Sequence, residues 1–144
     1  MADTAAQTEL APSLIQAYLT THYRLQALDW FLRVGHPQPA LAPFYQRHAV
    51  QCATYLTACN PFSEPLPAAA NQQRMVQLRL ALQRAGWAWT DGYGQDPLHT
   101  WPAEDSVLIW GMDRSTAQAW GQQWAQNAII HCDAHYCPEL VLLR

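Results

Sequence analysis

The chain of 144 residues contains no lysine; its eight basic side chains are all arginine. A catalytic lysine, a lysine Schiff base and a P-loop lysine are thereby excluded. Charge of either sign is scarce: 13% of the residues are Asp, Glu, Lys or Arg, against about 25% in an average protein. Eight basic residues stand against eleven acidic ones, a formal charge of −3. That balance argues against a protein built to grip a phosphate backbone, so nucleic acid is not expected as a partner. No apolar run approaches the roughly 18 residues of a membrane span, so none is expected with a membrane either. The start, Met-Ala-Asp-Thr, has neither a basic n-region nor an apolar h-region. A cytoplasmic location with reduced thiols is expected. The sequence has no G-x-S-x-G elbow, no G-x-G-x-x-G and no C-x-x-C, which removes the familiar signals for nucleophile, dinucleotide and zinc-knuckle chemistry. His131, Cys132, His135 and Cys137 cluster without a second knuckle and read as packing or turn residues. No metal and no cofactor is expected.

What is present is half apolar, 50% of all residues, which excludes an intrinsically disordered chain. The length suits one ordinary domain. Residues 1–10 are expected to form a flexible N-terminus and residues 11–144 a single domain. Glutamine occurs fifteen times and tryptophan seven times. Uncharged amides in place of surface charge suggest a polar interface, while codon bias explains the same composition.

Periodicity predicts the elements. Pro12 opens a helix to about residue 24, with Leu14, Tyr18 and Leu25 at helical spacing. Leu28 to Val34 alternates as a strand. Pro39 opens a short helix through His48, and Val50 to Ala58 reads as a central strand. Residues 60–67 carry three prolines and must be irregular. A long helix spans 68–85, with Met75, Leu78 and Leu82 on its apolar stripe and Gly86 as C-cap. A short strand at 87–90 leads to a Gly- and Asp-rich loop over 91–104, a turn or a lid. Ser106 to Met112 is an apolar strand. Asp113 or Ser115 caps a helix through Trp120 and Trp124. Strands at 127–131 and 139–143 close the chain. The order α-β-α-β-α-β-β-α-β-β predicts an α/β (α+β) single-domain, two-layer sandwich with a mixed sheet.

The segment Thr57-Ala58-Cys59-Asn60-Pro61-Phe62-Ser63 leaves the end of the central strand, where α/β proteins often place ligands. Asn60 brings a donor and an acceptor, and Ser63 a hydroxyl. Asn-Pro is also a strong turn initiator, so the same residues suit a structural turn. Asn71 and Arg74 sit one turn apart at the start of the next helix, placed to join Asn60 around an anion or to lie on a solvated face. Glu104 is a candidate acid or base.

These residues together resemble a family of short bacterial proteins, the domain of unknown function 3293. The resemblance rests on Thr57-Ala58-x-Asn60-Pro61-x-Ser63, on Asn71 with Arg74, on Asp96-Pro97 and Trp101-Pro102, on Glu104-x-Ser106, and on Gln126-Asn127-Ala128. It runs over about 17–144 and implies shared architecture without a known chemistry. It also implies that Asn60, Ser63, Asn71, Arg74, Glu104 and Gln126 are recurring polar positions, either one ligand site or a buried network. The leading expectation is a binding or regulatory module for a small polar or anionic ligand. A second is a small hydrolase or transferase using Glu104, with Asn60 and Gln126 orienting substrate. A third is a protein partner held on the Trp120–Trp124 helix face.

Overall fold

The computed structural model describes residues 8–144; residues 1–7 of the expected N-terminal tail lie outside the described residues. Among the described residues there are four α-helices and a seven-stranded sheet, an α+β fold. Helix α1 (Pro12–Thr20) begins on proline and stops at Thr21, whose Oγ1 donates to Ala17 O at 2.6 Å. Strand β1 (His22–Leu25) follows at once. The helix expected to reach residue 24 is therefore cut short. Leu25, which extends the helical stripe on paper, is with Tyr23 an inward position of a strand. Period two and period 3.6 coincide over so few residues.

Of the expected 28–34 strand only β2 (Phe31–Leu32) forms. Helix α2 (Ala42–His48) continues from a 3-10 turn at Pro39–Leu41. Strand β3 (Ala53–Leu56) is buried throughout, and α3 (Ala68–Ala85) ends at Gly86 in the left-handed region. Strand β4 (Trp89–Gln95) takes the first five residues, 91–95, of the stretch expected as a loop. Its glycines are strand glycines: a Cβ on Gly92 would lie 2.3 Å from Arg24 O and 2.9 Å from Tyr55 Oη. Close approach of two backbones, not flexibility, is the reason for glycine there. Strand β5 (Glu104–Trp110), α4 (Arg114–Gln123), β6 (Ala128–Cys132) and β7 (Pro138–Leu142) complete the chain. Asp113 caps α4, its Oδ1 accepting from Thr116 N at 2.8 Å.

The strand order is β2-β1-β4-β5-β3-β6-β7. Every pairing among the described residues is antiparallel, which corrects the expected mixed sheet. The crossover through α3 returns β4 two places from β3, and β5 fills the gap running the other way.

Both faces of the sheet carry apolar clusters, in place of the two layers expected. On one face Leu56, Val107, Ile109 and Ile129 meet Met75, Leu78 and Leu82 of α3 and Ala117 of α4. On the other, Tyr55, Leu108, Trp110 and Ile130 meet Tyr23, Leu25, Leu41 and Tyr45. Trp120 and Trp124 pack against the first cluster, so the Trp face of α4 is turned largely inward.

Candidate functional site

Strand β3 ends at Leu56, and the next residues leave the sheet because three of the following four turn positions are left-handed. Asn60 (φ 47°), Phe62 (φ 54°) and Ser63 (φ 61°) all have positive φ. Asparagine tolerates that conformation; Phe and Ser are held there at a cost of order 1–3 kcal/mol each. The holding bonds are Phe62 N to Ala125 O at 2.7 Å and Ser63 N to Asn60 O at 2.8 Å.

Asn60 is the centre of a polar bracket. Its backbone N donates to Asn71 Oδ1 at 2.9 Å, and Asn71 Nδ2 donates to Asn60 Oδ1 at 2.8 Å. Leu66 N donates to the same Oδ1 at 3.0 Å. With its oxygen so occupied, Asn60 presents Nδ2 to Glu104 Oε2 at 2.9 Å. Two residues 44 apart in sequence thus share one hydrogen bond. Ser63 Oγ accepts from Asn127 Nδ2 at 2.8 Å and lies 3.2 Å from Tyr18 Oη.

Tyr18, Asn60, Ser63, Asn71 and Glu104 border a cavity of about 740 Å3. Leu14, Ala17 and Tyr18 of α1 form one wall. Tyr23, Tyr55, Ser106 and Ile130 of the sheet form the floor. Asn60, Ser63, Asn71 and Gln126 supply amide and hydroxyl groups, and Trp101, Pro102 and Glu104 complete the rim. Burial raises the Glu104 carboxyl above its ordinary range, and the Asn60 hydrogen bond offsets part of that. Burial likewise raises the Tyr18 hydroxyl and pushes the Cys59 thiol up to about 11. Cys59 is therefore a neutral wall residue at neutral pH, not a ready nucleophile.

Arg74 stands apart from the cavity. Its Nε donates to Ala58 O at 2.5 Å and its Nη2 to Trp124 O at 2.8 Å. The guanidinium ties the end of β3 to the end of α4 and faces carbonyls, not the lining. Gln126 does both jobs: it borders the cavity while its Nε2 donates to Cys59 O and Trp124 O, each at 3.2 Å. Sequence reasoning passed over Tyr18 and Asn127 as site members. Tyr18 was absorbed into a helical stripe, although α1 buries none of its residues; that unburied stripe is a wall. Asn127 sits in the Gln126-Asn127-Ala128 segment, which carries no chemical signature of its own.

Of the metal-type cluster, His131 is buried on the sheet with Nδ1 2.9 Å from Thr54 Oγ1. Asp133, between the cysteines, accepts from His135 N and Cys137 N in a turn.

The fold and site define an α+β protein with one polar bracket set into a largely apolar cavity. The chain belongs to the family described as Protein of unknown function (DUF3293), which matches residues 56–129. That stretch contains Asn60, Ser63, Asn71, Arg74, Glu104 and Gln126; Tyr18 and the α1 wall lie before it. No match was found among curated proteins or among solved structures. No helix of the described residues is long and apolar enough to cross a membrane.

Proposed function

We propose that the chain is a binding or regulatory module that takes a small ligand into the cavity beside Asn60, Ser63 and Glu104. The observation that carries this reading is the cavity itself, about 740 Å3, within the range of roughly 300–1,000 Å3 typical of small-molecule sites. Polar groups from separate elements meet at one end of it, which fixes a ligand's orientation, while the apolar remainder supplies affinity. Residues 11–144 would form the binding domain and the cytoplasm its location, both resting on the sequence.

A fragment library screened by protein-observed NMR tests the reading. Fragments that shift the Asn60, Asn71 and Trp101 side-chain signals together are expected. A library that leaves all three unmoved at millimolar concentration would overturn it.

A second reading, a small hydrolase or transferase, is favoured by one observation. Glu104 is a carboxyl raised by burial and aimed by Asn60, as a general acid near neutral pH needs to be. In that reading Asn60 and Gln126 orient the substrate. Loss of turnover with retained fragment binding in Glu104→Gln would distinguish it from simple binding.

A further inference from the structure

The cavity wall has a one-sided charge pattern. Its acidic side chains are Glu104 and Asp105, and no Arg or His borders it. Asp105 is already matched, with Arg79 Nη2 at 2.9 Å from its Oδ1. The arginines that approach from behind are committed elsewhere. Arg74 binds the two carbonyls described above. Arg144 donates to Asn127 Oδ1 at 3.4 Å and lies 4.3 Å from the centroid of the Phe62 ring. Glu104 keeps Oε2 on Asn60, and among the described residues no protein group donates to its Oε1. Tyr18, Tyr23, Tyr55 and Trp101 also line the cavity, and aromatic rings attract organic cations.

We propose that the ligand carries a cationic nitrogen, an amine or amidine, on a compact apolar body, and that Glu104 is its counter-ion. This rests on the reading of the cavity as a ligand site and sets aside the anion expected from sequence. An anion would face a half-buried carboxylate with no cationic side chain on the lining to offset it, and like charges repel. A cation finds in the same carboxylate a counter-ion with one oxygen free of protein donors. The groups facing Glu104 are Tyr18 from α1, Tyr23 from β1, Tyr55 from β3, Cys59 just after it and Asp105 beside it. Burial keeps the tyrosines and the thiol uncharged, so Glu104 dominates the titration at this end. Binding a cation should therefore release a proton wherever the free carboxyl is partly protonated.

Three probes of nearly equal size provide the test: 2-phenylethylamine, 2-phenylethanol and phenylacetate. Calorimetry across pH 5–8 in buffers of different ionisation enthalpy reads affinity and proton release together. The amine should bind at least about tenfold tighter than either analogue at the upper pH. That preference should shrink as pH falls through the Glu104 titration and disappear in Glu104→Gln. Equal or tighter binding of the alcohol or the acid to the wild-type protein overturns the cationic assignment and leaves the binding reading intact. Binding of none of the three, together with a silent fragment library, overturns both. The wild-type comparison stands even where the variant does not fold.

Discussion

Helices α3 and α1 both lie against the sheet, on opposite faces, and they do opposite things. Helix α3 brings Met75, Leu78 and Leu82 fully into an aliphatic cluster. Helix α1 buries none of its residues, and its inner side, Leu14, Ala17 and Tyr18, faces a cavity. Helix α1 is the more apolar of the two, so hydrophobicity alone does not decide which helix becomes core. What differs is the partner surface. Under α3 the sheet offers Leu56, Val107 and Ile109. Under α1 it offers Tyr55, Ser106 and Gly94, side chains that leave volume and polar edges. Tight packing lies under α3 and space for chemistry under α1.

The largest effect expected is at the filled face. Leu78 is 0% exposed, and Leu78→Ala should cost about 2–5 kcal/mol from lost transfer energy plus a cavity. Leu14→Ala, on the open wall, should cost less than about 1 kcal/mol. Denaturant midpoints measure both, and equal losses would break the comparison. Next is Arg74→Ala, which leaves the carbonyl of Ala58 without its side-chain donor and that of Trp124 with Gln126 Nε2 alone. A loss of about 1.5–3 kcal/mol is expected, the scale of hydrogen bonds to charged groups. Unchanged stability would mean that the bracing of β3 to α4 contributes nothing.

Two titrations sharpen the contrast with opposite signs. Burial raises the Glu104 carboxyl in the folded protein. Its contribution to stability is present in full below the unfolded carboxyl range, about 4.3, and is lost as pH rises through the raised value. Glu104→Gln should therefore raise the melting temperature more at pH 7 than at pH 4. Burial lowers His131 on β6. Its contribution is complete above the unfolded value of about 6.5 and is lost as pH falls from there toward the lowered one. His131→Gln should flatten melting curves recorded between pH 7 and pH 5. The smallest effect is at the surface. Arg114 and Glu139, paired at 2.6 Å, are half exposed, and Arg114→Ala should change the denaturant midpoint by less than about 1 kcal/mol.

The filled face was the legible one. The stripe Met75, Leu78, Leu82 and the end at Gly86 mark α3 from sequence, and its bounds are those expected. Strand β3 is interior to the sheet, as its uncharged faces suggest. The open face was harder to read. Glycines 92 and 94 signal a loop by composition, yet both lie in β4, and at Gly92 the close approach of Arg24 O and Tyr55 leaves no room for a side chain. For the site, local chemistry singled out Asn60 and Glu104, but nothing in the sequence states that they meet. Arg74 shows the limit most clearly. A cation one turn from Asn71 suggests anion binding, and only the fold shows it turned to carbonyls.

The hydrogen bonds of the bracket also bear on the order in which the chain acquires its structure. Asn60 and Glu104 are 44 residues apart, Tyr18 and Ser63 are 45 apart, and Gln126 and Cys59 are 67 apart. Each closes a long loop before any contact rewards the lost entropy. Helix α3 and the β6–β7 hairpin, by contrast, form from neighbours in sequence. The pocket is therefore expected among the last features a refolding chain completes. Pulse-labelled hydrogen exchange would read this as protection of the Phe62 amide, bonded to Ala125 O, arriving after that of the α3 amides. A chain with its core assembled and its polar bracket still open would be stable, compact and unable to hold a ligand.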